Sequence, residues 1–136
     1  MSKTNVFYVD DDVDDQMLFS EAFKEIQSES SMNLQLFKAD NGQDFFDLIA
    51  SSNTLPDIIF LDINMPVKNG FECLAEMRGI QILKDRPVVM FSTSESNDII
   101  KKSYSLGANK YVVKPPDFDQ LKGAIEMCLN EFQDPK

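Results

Sequence analysis

The sequence predicts an α/β fold, a doubly wound parallel sheet of five strands flanked by five helices. Three observations carry this. Five short apolar runs, at 6–9, 34–37, 58–61, 88–91 and 111–113, are mostly continuous rather than alternating, which suits strands buried on both faces of a parallel sheet. Stretches with helical spacing separate the runs, so strands and helices alternate, the order that builds such a sheet through crossover connections. Turn and cap residues fall at the junctions.

Taken in order, the first run ends in Asp10, Asp11 and Asp12. Behind it Leu18, Ala22 and Ile26 recur every four residues, and Phe19 and Phe23 widen that apolar stripe. Ser28 to Ser31 reads as loop, and the whole connection 27–33 looks long. Asn41-Gly42 opens the second helical stretch, and Leu55-Pro56 precedes the third strand. Pro87 fits the first residue of the fourth strand, where its missing N–H matters least. The fourth helix has the weakest apolar pattern, and Gly107 is placed to end it as a left-handed cap. The last helix is the clearest, with Phe118, Leu121, Ile125, Cys128, Leu129 and Phe132 at i, i+3, i+7, i+10, i+11 and i+14. Asp117 with Gln120 makes a capping box ahead of it.

The totals exclude several classes of function. A chain of 136 residues, 43% apolar, is enough for one domain, here expected to span 1–136. It buries roughly 65–70% of its unfolded surface and needs no disulfide or metal staple. A net charge of −10 with pI about 4.3 repels nucleic acid, so no nucleic-acid partner is expected. The chain has no histidine, and Cys73 and Cys128 form no CxxC, which excludes a zinc site and a Cys-His nucleophile. Both cysteines read as small core residues in a reducing compartment. No 18-residue apolar run and no apolar leader occur, so no membrane partner and a cytoplasmic location are expected. Four residues follow Phe132. No output domain is expected, and the protein would act through another one.

In open parallel sheets, ligands bind beyond the carboxyl ends of the strands. Asp10, Asp11 and Asp12 follow the first strand and Asp62 follows the third. Ser92 and Thr93 follow the fourth, and Lys114-Pro115 follows the fifth. In a 2-1-3-4-5 order these ends meet in one crevice. Two carboxylates about 4 Å apart repel by roughly 4 kcal/mol at an effective dielectric near 20. Positive charge must therefore sit among them. Lys114 offers one charge, and a hard divalent cation such as Mg²⁺ suits the remainder. Metal and lysine together can neutralise a transferring phosphoryl group, leaving one carboxylate as nucleophile.

The segments Phe7-Tyr8-Val9-Asp10-Asp11-Asp12, Phe60-Leu61-Asp62-Ile63-Asn64-Met65-Pro66 with Asn69-Gly70, Met90-Phe91-Ser92-Thr93 and Tyr111-Val112-Val113-Lys114-Pro115 occur in order, each at a strand end. On these the chain resembles the receiver domains of bacterial two-component response regulators, over essentially its whole length. The resemblance implies a flavodoxin-like sheet of order 2-1-3-4-5. It implies that Asp62 is the phospho-acceptor, that Asp11 binds Mg²⁺ or Mn²⁺ directly and that Asp10 binds it through water. It makes the backbone carbonyl of Asn64 a further metal ligand, alongside Asp62. Lys114 would contact a phosphoryl oxygen, aimed by a cis bond to Pro115. Ser92 would contact the phosphoryl group and move on activation, with Tyr111 as the coupled aromatic switch. The donor would be a phosphohistidine on a sensor histidine kinase or histidine phosphotransfer protein. The signal would reach an unknown downstream protein through the face of the fourth helix, fifth strand and fifth helix. Thr93, where the family usually has Ala or Gly, and Pro116 after Pro115 depart from the pattern.

Each residue alone has a plainer reading. Asp10 to Asp12 with Asp14 and Asp15 read as a solvated run capping the first helix, and Asp12 keeps that cap role. Asp62 alone is an ordinary polar strand end. Two rival functions start from the same motifs. A phosphohydrolase of the haloacid dehalogenase type would use Asp10 and Asp12 as an Asp-x-Asp, but has Thr or Val where Asp14 stands. A pseudo-receiver would be a pure interaction module, and usually lacks a carboxylate that this chain keeps.

Overall fold

The computed structural model describes residues 3–132. Its elements are β1 (Thr4–Val9), α1 (Val13–Glu29), β2 (Leu34–Ala39), α2 (Gly42–Ser52), β3 (Ile58–Leu61), α3 (Gly70–Arg78), β4 (Val88–Ser92), α4 (Asn97–Ser105), β5 (Lys110–Val113) and α5 (Phe118–Phe132). The sheet order is β2-β1-β3-β4-β5, and every pairing is parallel. This is the expected flavodoxin-like arrangement. Met1, Ser2 and the residues after Phe132, and with them the expectations about the two ends, lie outside the described residues.

Alternation along the strands divides the core. Val6, Tyr8, Ile58, Phe60, Val89 and Phe91 face α1 and α5, meeting Phe19, Phe23, Ile26, Ile125 and Leu129. Their neighbours Phe7, Val9, Ile59, Leu61, Val88 and Met90 face the other side, meeting Phe45, Cys73, Leu74 and Met77. Strands β3 and β4 are buried at every position, which is why their runs read as continuous rather than alternating. Cys73 and Cys128 are unpaired and buried. Burial pushes their thiols up, to about 12 and about 11 respectively, so both behave as core hydrophobes.

Three expectations are corrected. Helix α1 continues to Glu29, so only Ser30 to Asn33 connect it to β2. The Ser28 hydroxyl donates to the Glu25 carbonyl at 3.0 Å, and Lys122 reaches Glu25 at 3.1 Å and Glu29 at 2.7 Å. Gln27 also donates to the Leu34 carbonyl at 2.8 Å. The bonds from Lys122 and Gln27 tie this last turn to α5 and β2, offsetting the poor helix propensity of serine. The buried stripe of α1 is Phe19, Ala22, Phe23 and Ile26, while Leu18 is 44% exposed on its rim. At α5 the Asp117 carboxylate accepts from the Asp119 amide at 3.2 Å, one residue earlier than a capping box would use.

The other punctuation holds. Asn41 caps α2 through the Asp44 amide at 2.9 Å. Pro87 stands one residue earlier than expected, immediately before β4, its carbonyl accepting from Ile59 at 3.0 Å. Gly107, at φ 106°, follows α4. The amides of Gly107 and Ala108 turn back to the carbonyls of Tyr104 and Ser103, both at 3.0 Å, a paired closure that needs the left-handed conformation glycine tolerates. Among the described residues no helix is long and apolar enough to cross a membrane.

Candidate functional site

The backbone carries three site residues one step past the strands, Asp10, Asp62 and Lys114, and a fourth, Ser92, at the last position of β4. The Asp10 amide donates to the Ala39 carbonyl at 3.0 Å, the Asp62 amide to Val9 at 2.9 Å, and the Lys114 amide to the Ser92 carbonyl at 2.8 Å. Ladder bonds thus fix Asp10, Asp62, Ser92 and Lys114 relative to one another. Behind Asp62 the start of α3 comes very close. A Cβ on Gly70 would lie 2.2 Å from the Asp62 carbonyl oxygen, so the Asn69-Gly70 pair is what lets α3 begin there. Asn69 caps that helix with Glu72 in a reciprocal capping box. The connecting loop turns tightly at Val67, where the Lys68 amide donates to the Pro66 carbonyl at 2.7 Å and φ is 67°, a strained three-residue turn.

Asp10, Asp11 and Asp62 each place a carboxylate oxygen within 4.8 Å of the others'. Asp10 is fully buried and Asp62 is 9% exposed, whereas Asp11 is exposed. The buried carboxylate of Asp10 is engaged at both oxygens. Its Oδ2 accepts from the Tyr8 hydroxyl at 2.5 Å and from Lys114 Nζ at 2.7 Å, and its Oδ1 accepts from the Asp12 amide at 3.0 Å. Lys114 Nζ also donates to Asp15 Oδ2 at 2.9 Å and stands 3.6 Å from Asp62 Oδ1.

The electrostatics follow from this packing. Burial pushes the Asp62 carboxyl up to about 7; Lys114 pulls against that and Asp10 adds to it. Burial disfavours the charge of Lys114, but its bonds to Asp10 and Asp15 and the charge of Asp62 prevail, holding the ammonium above its ordinary range. The Tyr8 phenol is raised well above its usual value by burial and then by Asp10, so it stays a donor.

The donor set fits a hard divalent cation. It consists of carboxylate oxygens, with an exposed member beside two buried ones. Asp11 makes no hydrogen bond or ion pair among the described residues, leaving its oxygens available as direct ligands. Asp10, with every oxygen engaged, fits a partner through water. Asn64 is exposed, two residues beyond Asp62.

Other expectations fare unevenly. Ser92 is buried, and its Oγ accepts from the Ser94 amide at 3.2 Å. Thr93 is exposed. The bond before Pro115 is trans, since no cis peptide occurs among the described residues. With this isomer Lys114 meets Asp10 and Asp15. Tyr111 is half-buried, its hydroxyl donating to the Ser94 carbonyl at 2.9 Å. Asp12 is the cap of α1, accepting from the Asp15 amide at 3.0 Å. The phosphohydrolase reading would need as its nucleophile Asp10, the carboxylate held by Tyr8, Lys114 and the Asp12 amide.

Three contributors escaped the sequence reading. Tyr8 lies two residues before Asp10 and so on the same strand face, a signal that was present in the alternation. Asp15 was assigned to the cap, yet it faces Lys114 from the first turn of α1. Gln16 donates to the Asp10 carbonyl at 2.5 Å and to Asp40 at 2.9 Å, bracing the turn after β1.

Known proteins share this fold. A family model described as the response regulator receiver domain matches residues 6–126. Sporulation initiation phosphotransferase F of Bacillus subtilis (strain 168) is 28% identical over 129 residues, 95% of this chain and 96% of that protein. The solved structure of the phosphorylated cyanobacterial phytochrome response regulator RcpA superposes with a TM-score of 0.87 at 28% identity, covering 99% of this chain and 97% of that one. The Mn²⁺-bound form of response regulator Rcp1 gives 0.82 at 27% identity, covering 98% and 97%. Against two longer regulatory relatives the chain spans about half their length, 47% and 54%. With the family model matched over most of its length and the acidic crevice at its strand ends, the chain belongs to the response regulator receiver domains of two-component signalling.

Proposed function

We propose that this receiver domain takes a phosphoryl group onto Asp62 from a phosphohistidine on a sensor histidine kinase or histidine phosphotransfer protein, and signals through its α4-β5-α5 face. The observation that carries the proposal is the position of Asp62. It shares one 4.8 Å cluster with Asp10 and Asp11 and lies 3.6 Å from the ammonium of Lys114.

In the step itself, an Asp62 oxygen attacks phosphorus and the P–N bond to the donor imidazole breaks. The electron pair leaves with the imidazole nitrogen, which takes up a proton, and an acyl phosphate remains. Asp11 and Asp62, with the Asn64 carbonyl, would hold Mg²⁺ or Mn²⁺ directly, and Asp10 through water. The cation supplies charge neutralisation to the incoming phosphoryl oxygens. Lys114 supplies the protein's own positive charge. Ser92, buried at the end of β4, offers its hydroxyl to a phosphoryl oxygen. Drawing it there disturbs its bond with Ser94, whose carbonyl holds Tyr111, and so connects the site to α4 and β5. The solved relatives support this reading, since RcpA is phosphorylated and Rcp1 carries Mn²⁺. Two unpaired cysteines suit a reducing compartment, the cytoplasm.

Intact-mass spectrometry after incubation with acetyl phosphate and Mg²⁺ tests the proposal. The expected result is one phosphoryl adduct on the wild type, lost in Asp62→Asn and lost in excess EDTA. An equal adduct on Asp62→Asn, or full labelling in EDTA, would rule the site out.

A further inference from the structure

The ammonium of Lys114 is not waiting on Asp62. It is 2.7 Å from Asp10 and 2.9 Å from Asp15, but 3.6 Å from the acceptor. Two of its three N–H donors are spent on these carboxylates, and moving the ammonium toward a phosphoryl group on Asp62 stretches one of the two bonds. They are not equivalent. Asp10 is fully buried and fixed by the Tyr8 hydroxyl and the Asp12 amide. Withdrawing the lysine from it would strand a charge away from water, which is costly. The Asp15 side chain is 34% exposed and sits in the first turn of α1, so water replaces the lysine there at little cost. The bond to Asp15 is therefore the one that yields.

We propose that Asp15 is a positioning residue, an anchor that draws Lys114 toward α1 in the resting molecule and releases it when Asp62 is phosphorylated. The inference rests on the function proposed above. Asp15 touches neither acceptor nor phosphoryl donor; it acts through Lys114 and thereby sets the rate at which the acceptor is filled. Replacing its charge while keeping its shape frees the ammonium to turn toward Asp62 before the donor arrives.

The test is the rate of Asp62 phosphorylation by acetyl phosphate with Mg²⁺, in wild type, Asp15→Asn, Lys114→Gln and the double variant. Asp15→Asn should accelerate the reaction by about two- to fivefold, the scale of a partly exposed ion pair. In the Lys114→Gln background the same substitution should change nothing, a coupling that a merely structural role would not produce. Two results overturn the inference while leaving the proposed function intact: wild type labelled on Asp62 with Asp15→Asn no faster, or equal acceleration with and without Lys114. The second would mean that Asp15 acts only through its charge on the donor. No labelling of the wild type overturns the proposed function and this inference together.

Discussion

Helices α1 and α4 both lead away from the site, but the sheet holds them very differently. Helix α1 buries Phe19, Ala22, Phe23 and Ile26. Phe19 stacks on Tyr8 with ring centroids 4.1 Å apart, and Tyr8 in turn grips Asp10. Helix α4 buries only Ser103. Its surroundings are held largely by polar bonds and one cation over a ring. Arg78 donates to the Gly107 carbonyl at 3.0 and 2.6 Å, and the Tyr111 amide donates to the Tyr104 hydroxyl at 3.0 Å. Lys102 lies over Phe71 at 4.5 Å. Apolar burial fixes an element in one place because no alternative packing fills the same space. Polar end contacts can be exchanged for others of similar strength. The α1 side thus keeps the chemistry in register, and the α4 side is the part free to change.

Stability should expose the contrast most strongly. Phe19→Ala should cost about 3–5 kcal/mol, the scale of an aromatic removed from a closed core. Ile99→Ala on the half-buried face of α4 should cost on the order of 1 kcal/mol. Denaturant unfolding compares them, and equal losses would mean that α4 is anchored as firmly as α1.

A smaller effect separates the site from the scaffold. In metal-free buffer the folded state binds a proton at Asp62 more tightly than the unfolded chain does, since its carboxyl titrates near 7 rather than near 4. Its ionised form therefore weakens the fold, fully above about pH 7, and the penalty fades as pH falls toward 4. Asp62→Asn should accordingly melt higher than wild type at pH 8, with the gap closing by pH 4. A gap that stayed constant or widened on acidification would contradict this placement of the acceptor.

Much of this was legible in the sequence. The five runs were strands because both faces of the sheet are covered, so Ile58 to Leu61 and Val88 to Phe91 needed no polar face. Asp10, Asp62, Ser92 and Lys114 were readable because parallel strand ends converge by topology. What escaped depends on side-chain reach across elements. Asp15 looks like helix-capping charge until Lys114, 99 positions later, is found beside it. The end of α1 was misread because Lys122 and Gln27 supply partners that local serine content does not reveal. The resting place of the Tyr111 ring depends on the Ser94 carbonyl, a backbone group that leaves no mark in the sequence.

The measurement that bears most directly on the account is amide NMR of the Mg²⁺ protein before and after beryllofluoride, which mimics a phosphoryl group on Asp62. Beyond the site residues themselves, large shifts should reach residues 97–113, covering α4 and β5, while the buried turns of α1 around Ala22 and Ile26 stay in place. Shifts confined to the neighbourhood of Asp10, Asp62 and Lys114, or spread through α1 but absent from 97–113, would contradict the claim that filling Asp62 is relayed through the loosely held α4 side of the molecule.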